Sequence, residues 1–479
     1  MAQKTIRKGF FFYFGLFVLI LVAGFLVCLV IMMFNPGANV LGMQYFTGNS
    51  VVKANTTDGG EIGQEELATI DEITVNCRYA NVTVQANTTL TKGDGIYIVN
   101  RAKGFVLSKD AVKFGYSVTK TGSKLVVDVQ EPKGFLFFSK NVEVIINSYE
   151  TWHLNSNLKL NVKASEDADI RLGGNATAGD VAVKLAGADI ETAKGTILLS
   201  KHCDVSTFTG DVRFATDSGR IRTEQSKLTF NADVHLEAKS GRINFSELDL
   251  GAHKLYVKYT NGTLAADKIT ANTIYADTIH GNFVVNTVVG NMTFEECQEK
   301  TIQPLVNIEN FYGDFNLSVT NTETEVAPEI VLGKITGELL VIAKKGKIRV
   351  GLAEQGVHVE SDGSLYTNIT LASNNTQDIK ILQATGNINL NFKGNVSAVT
   401  LKTTTGKVAV NFTNAARFVA NAVKESDGTP VEDKNIKVEI NDSSVQHDGK
   451  NPLVVGSTHT GAINISTNSS ITYTCVANI

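Results

Sequence analysis

The sequence predicts an all-β protein: a parallel β-helix, or solenoid, with irregular caps, behind one N-terminal transmembrane helix. Two observations predict the solenoid and a third predicts the helix. A short phrase recurs from Gly179 to Ile465: glycine, any residue, an apolar residue, any residue, then a second apolar or small residue. Its copies lie near 8–9 residues apart (Gly281 to Gly290) or near 19–24 apart (Gly219 to Gly241 to Gly262 to Gly281). Residues 10–34 form an uncharged run rich in Phe, Leu, Val and Ile.

At the N-terminus, those 25 uncharged residues are long enough to span a hydrocarbon core as a helix with some tilt. Lys4, Arg7 and Lys8 precede the run, and the next basic residue is Lys53. The positive-inside rule then keeps residues 1–9 as a cytoplasmic tail and exports the rest. A cleaved signal peptide is the alternative; it needs a shorter apolar core and a small-x-small site. The chain after Phe34 reads Asn35-Pro-Gly-Ala-Asn-Val40 and offers no convincing site. The expectation is an uncleaved, single-pass anchor in the cell membrane. Residues 35–70, rich in Gly, Asn and Thr, read as an extracytoplasmic spacer.

Residues 71–165 are β-rich but mostly lack the glycine phrase. Ile73–Cys77, Val82–Ala86, Ile96–Ile98, Lys124–Val129 and Val142–Ile146 read as strands. A repeat array needs atypical ends, because a bare terminal coil exposes an edge. The segment reads as an N-terminal cap, with a small independent β-domain as the alternative.

Residues 166–413 carry most of the repeats. Glycine supplies the positive φ of a tight turn, and the alternation after it puts apolar side chains on one face. In Gly386–Phe392 the inward set is Ile388, Leu390 and Phe392, and the outward set is Asn387, Asn389 and Asn391. One such strand cannot bury its apolar face alone, so copies must stack. Antiparallel sandwiches are the competing architecture. They favour Asn-Gly hairpin turns, and Asn261-Gly262 is the one such dipeptide in the repeats. Residues 414–479 read as last coils and a C-terminal cap: Asn414–Lys424 as a short helix or a strand, Ser426–Asn435 as a polar loop, and a final phrase at Gly461.

Charge and cysteine content narrow the function. The formal net charge is −4; without the three bases of residues 1–34, 41 basic residues face 48 acidic ones. A mildly acidic exported region does not suit nucleic-acid binding, which wants a clustered basic face. Cys28 lies in the apolar run. Cys77, Cys203, Cys297 and Cys475 are scattered singly, with no C-x-x-C for zinc, and read as buried thiols rather than a disulfide framework.

No chemical constellation stands out, so the chain reads as a non-enzyme without cofactor or metal. Glu166-Asp-Ala-Asp169 reads as a solvated polar turn. His202-Cys203-Asp204 juxtaposes a base, a thiol and an acid, but adjacent strand residues point to opposite faces. The other histidines show no ligand spacing. Trp152, the single tryptophan, reads as core rather than as a sugar platform. Arg220, Arg222, Lys239 and Arg242 would form a local basic strip if neighbouring coils stack in register; they are the weak binding candidates for an anionic polymer. Asn-x-Ser/Thr occurs fifteen times, including Asn411 within a strand phrase. The triplets are glycosylation acceptors in a eukaryotic secretory protein, or the chance product of an Asn- and Thr-rich outer face.

The runs TGDVRFATDSGRIRTEQ, AKSGRINFSELDL, TGNINLNFKGNVSAVTLKTTTGKVAVNF and THTGAINIS resemble the bacterial adhesin-like family of β-strand-repeat domains, a family of uncertain function. The resemblance covers roughly residues 160–470. It implies a membrane-anchored, cell-surface β-solenoid in a bacterial host, and brings no catalytic residues. The long segment 71–165 departs from it. The expected partners are the membrane, through residues 10–34, and a cell-wall polymer, glycan or surface protein. A carbohydrate-active β-helix enzyme and a self-assembling envelope scaffold are the alternatives.

Overall fold

The computed structural model describes residues 2–35, 38–87, 94–107, 114–134, 136–148, 157–174, 180–278, 280–294, 301–318, 325–373, 375, 377–440, 442–458 and 461–476. Trp152, Cys297 and the glycine copy at Gly179 lie outside the described residues. Contacts divide the chain into two units: residues 1–155 with 161–183, and residues 156–160 with 184–479.

The first unit begins with the helix Ala2–Phe34, whose stretch Phe11–Phe34 is long and apolar enough to cross a membrane. Most of that stretch is exposed, as an apolar helix facing no protein would be. Leu29 and Met32 are the exception: they are buried against Met43 and Phe105, with Ala38, Val40, Tyr45, Leu107 and Leu136 packed around them. These partners come from an antiparallel sheet of Asn39–Val40, Met43–Thr47, Lys103–Leu107 and Leu136–Ser139, in that order.

Residues 35–70 therefore differ from the expected spacer. Met43–Thr47 belongs to this sheet, Ser50–Lys53 pairs antiparallel with Ile96–Asn100, and a one-turn helix Gln64–Leu67 buries Leu67. Strands of four and five residues are too short for their alternation to emerge from a Gly-, Asn- and Thr-rich background.

The five strands read within 71–165 fall inside Glu72–Cys77, Asn81–Asn87, Ile96–Asn100, Lys124–Gln130 and Val142–Ser148. Their pairing is mixed. Val142–Ser148 runs parallel to Asn81–Asn87 but antiparallel to Ile96–Asn100. Lys124–Gln130 runs parallel to Glu72–Cys77 and antiparallel to Gly115–Thr121, its hairpin partner.

The second unit is a parallel ladder in which each winding covers the apolar face of the last. Two buried columns define it. One runs Ala188, Val212, Val234, Leu255, Ile274, Met292, Phe315, Leu339, Val357, Ile379, Val399, Ile463, each the parallel register partner of the next. The other runs Ile197, Ile221, Ile243, Leu264, Phe283, Val306, Ile330, Ile348, Thr367, Ile388, Val408, Ile471. All of these residues are buried. Up to Val399 and Val408 the register offsets run from 18 residues (Ile330 to Ile348) to 24 (Ile197 to Ile221); the last step of each column, to Ile463 and to Ile471, is far longer. The alternation read in Gly386–Phe392 holds: Ile388, Leu390 and Phe392 are buried, and the asparagines between them face out.

The glycines act differently from expectation. Positive φ occurs at Gly290, Gly313, Gly346, Gly386 and Gly406, but not at Gly219, Gly241 or Gly262. What those three share is close approach. The glycines stack winding over winding at a corner, so a Cβ on Gly241 would stand 2.6 Å from the Gly219 carbonyl oxygen. That carbonyl accepts from the Arg242 amide at 3.0 Å, and the Gly241 carbonyl accepts from Thr263 at 3.1 Å. Nor does every glycine start a strand. Asn282–Phe294 and Val357–Leu371 continue through Gly290 and Gly363, turning the corner while paired and contributing to both columns.

The C-terminal end is threaded. Asn414–Lys424, left open between helix and strand, contains the strand Phe418–Val423. The final strand pair, Gly461–Thr467 and Ile471–Cys475, sits between earlier ones: Gly461–Thr467 has Ala398–Thr405 on one side and Phe418–Val423 on the other. Ile471–Cys475 lies likewise between Val408–Phe412 and Ile436–Glu439. Leu453–Val455 then pairs antiparallel with Phe418–Val423.

Candidate functional site

Because inward positions are mostly apolar, and buried polar ones such as Thr367 are bonded within the fold, the binding chemistry open to solvent in the second unit lies on its outward columns. Parallel register fixes which side chains meet there. Thr196, Arg220, Arg242 and Thr263 are consecutive register partners, so the Arg220 and Arg242 guanidinium groups, both exposed, project from adjacent strands. Arg222 is exposed two residues further along and pairs with Asn244. Of the four basic candidates, the ladder thus groups Arg220, Arg222 and Arg242. Lys239 does not join as a free charge: it lies at the corner and its ammonium is 2.9 Å from Asp217.

The strands of the Ala188–Ile463 column carry an arrangement that sequence reading missed. Asp189, Arg213, His235, Tyr256 and Tyr275 are consecutive register partners. Arg213 forks onto Glu237, with Nε–Oε1 2.8 Å and Nη2–Oε2 2.9 Å, and its Nη1 reaches Asp189 at 3.0 Å and Glu191 at 3.2 Å. Hydrogen bonding from Arg213 holds the Glu237 carboxyl below the usual range and raises Arg213 above its own. Beyond it, His235 stacks on Tyr256 (4.3 Å, 3°), Tyr256 stacks on Tyr275 (5.1 Å, 12°), and the Lys254 ammonium stands 5.6 Å from the Tyr275 ring centre. Tyr256, sandwiched between His235 and Tyr275, has neither ring face free for a sugar to stack on. The signal was present: the 24- and 22-residue steps from Gly195 to Gly219 to Gly241 also link Asp189, Arg213 and His235.

An open groove of about 520 Å³ lies further along the same column, lined by Glu338, Leu339, Leu340, Val357, His358 and Asp378 among others. Leu339, Val357 and Ile379 are successive partners, which puts Glu338 and Asp378 two strand spacings apart, about 10 Å. Both carboxylates are exposed.

The remaining candidates serve the fold. Cys203 is buried, and burial, with the charge of Asp204, pushes its thiol up to about 12. Asp204 instead caps the short turn Val205–Thr207, accepting from the Ser206 amide at 3.2 Å and hydroxyl at 2.6 Å. Glu166 pairs with Arg78 and, at 3.1 Å, with Lys140. The buried Glu131 accepts from the backbone amides of Arg78, Tyr79 and Ala80 at 2.7, 2.9 and 2.9 Å. Cys28, Cys77, Cys203 and Cys475 carry free thiols. Among the described residues, no three His, Cys, Asp or Glu side chains gather where a metal ion could bind. Asn411 donates to Asn389 at 2.7 Å and Asn391 at 2.8 Å, so this sequon nitrogen is engaged across windings.

A family model described as Toastrack DUF4097 matches residues 70–469. It describes a β-strand-repeat family of unknown function, which agrees with the resemblance at that coarser level. No curated protein and no solved structure matches the chain.

Proposed function

The chain belongs to the Toastrack DUF4097 family, and on that premise we propose a membrane-tethered, non-enzymatic surface solenoid that binds an envelope polymer or partner through its outer columns. The helix Ala2–Phe34 stays attached as the anchor, its N-terminus cytoplasmic and the rest of the chain outside. The observation that carries the tether is the burial of Leu29 and Met32 against Met43 and Phe105; a leader removed by cleavage has no reason to complete the core of the mature protein. The weak binding candidates are Arg220, Arg222 and Arg242, a basic group in an otherwise acidic exported region. This is the sense in which the adhesin-like label fits.

The test is retention of the full-length protein, in nanodiscs, on its own envelope fraction. Retention that weakens with salt is expected. Arg220→Glu with Arg242→Glu should lower it severalfold without changing the unfolding midpoint, since both side chains are exposed. Absence of retention at every salt concentration overturns the reading.

A carbohydrate-active enzyme is the second reading, favoured by the spacing of Glu338 and Asp378 across a groove. Against it, both are exposed, whereas a general acid is kept protonated by burial. Release of reducing ends from envelope glycan, abolished by Glu338→Gln, would establish it; release that survives both Glu338→Gln and Asp378→Asn would remove this groove from consideration.

A further inference from the structure

We propose that the four-stranded sheet of the first unit rests in the membrane interface, with Leu41 and Phe137 inserted among the lipid chains beside the helix. The inference deepens the tether reading and rests on it. Three independent observations converge on this sheet. Beyond the N-terminal helix, Leu41 and Phe137 are the most exposed large apolar side chains among the described residues, at 85% and 73%. They are also the two described non-glycine residues with positive φ, at 54° and 48°. And the residues beside them in sequence, Val40 and Leu136, pack against the cluster that Leu29 and Met32 of the helix form with Met43 and Phe105.

Each exposure is built by a specific backbone device. Val40 pairs with Met43, so Leu41-Gly42 is a two-residue hairpin connection with φ of 54° and 78°. That geometry is the natural place for Asn-Gly, and a leucine there is strained. Phe137 sits in a bulge: Leu136 pairs with Phe105 and Ser139 with Lys103, setting three steps against two. A bulge re-aims a side chain. Phe138 packs inward on Phe46 and Tyr79, both at 6.5 Å between ring centres, while its neighbour Phe137 is turned out. Strain of this kind persists where the surroundings use it. Water gives neither side chain anything to gain; a lipid surface does.

The helix supplies the position. Its apolar stretch has 24 residues, and about 20 suffice to cross the hydrocarbon. The last turn, which carries Met32, therefore reaches the headgroup level, where the sheet covers it. Exposed Lys103 and Lys133 flank the bulged strand and suit lipid phosphates.

The test uses the full-length protein in nanodiscs of phosphatidylcholine brominated near the glycerol end of its chains, with the native tryptophan signal of the wild type subtracted. Leu41→Trp and Phe137→Trp are made separately, with Phe17→Trp in the helix as control. Blue-shifted emission that loses more than half its intensity on bromination is expected at positions 41 and 137. If the helix control is quenched while either position emits as in water and is unquenched, the interface proposal is overturned and the anchor stands. If the control is unquenched as well, the anchor reading falls with it.

Discussion

At the scale of single residues, the corner glycines are selected mainly by what lies beneath them. A Cβ on Gly219 would collide with the Gly195 carbonyl oxygen and stand 2.6 Å from Thr216 Oγ1, the atom that accepts from the Gly219 amide at 2.8 Å. Gly219→Ala must therefore open the corner, at a cost of roughly 1–3 kcal/mol. A lowered denaturation midpoint, set against an unchanged one for the exposed neighbour Ser218→Ala, would show it; equal midpoints would contradict the stacking account. The buried thiols give a second residue-scale prediction. Burial, with Glu131 near Cys77 and Asp204 near Cys203, raises both thiols to about 12 from an ordinary 9.0. The folded value lies above the unfolded one, so this contribution is complete below pH 9 and is lost between pH 9 and 12, where only the unfolded chain ionises. Stability should fall over that window, and less steeply in Cys77→Ala with Cys203→Ala. Iodoacetamide at pH 8 should leave both thiols unmodified until denaturant is added; rapid labelling of the folded protein would contradict their burial.

At the scale of elements, the unit of stabilisation is the column rather than the strand. Asn391 donates to Asn368 at 3.2 Å and Asn411 donates to Asn389 and Asn391, so an asparagine ladder runs up the outside of three windings. Asn411→Ala leaves two carbonyl oxygens without their donor and should cost about 1–2 kcal/mol, read as a lower thermal midpoint. A midpoint unchanged from the wild type would show that water replaces the ladder without loss. This also explains what the sequence disclosed. The inward face of Ile388, Leu390 and Phe392 was legible because alternation is local. The alignment of Arg220 with Arg242 was legible because the glycine spacing gives their offset. The convergence of Arg213 on Glu237, Asp189 and Glu191 was not read: the same spacing aligns Asp189, Arg213 and His235, but Glu191 and Glu237 lie two residues along from those partners, and only side-chain reach brings them to Arg213. Residues 43–53 were misread for the opposite reason: their strands are too short to carry a period, and tertiary pairing decides them.

At the scale of the molecule, a solenoid is expected to lose only its outermost coil when its end is cut, because each coil touches its neighbours alone. Threading in the second unit changes that. The last strands in sequence, Gly461–Thr467 and Ile471–Cys475, are interior in the stack, and the outermost winding comes from residues 418–439, which precede them. No local pattern announces this: the Gly461 phrase looks like any other copy, and only the register step from Val399 to Ile463, three times the usual offset, records the insertion. Leu453–Val455, running antiparallel on Phe418–Val423, then covers an edge that would otherwise recruit another chain. A chain ending at Gly456 keeps every residue of that outer winding yet removes the strands on which it rests. Hydrogen exchange of this truncated protein should show residues 418–455 exchanging as unfolded chain, while Gly187–Thr192 and its neighbours keep full protection. Were the order of stacking the order of the chain, residues 418–455 would stay protected in the same experiment, and that outcome would sink the threaded arrangement.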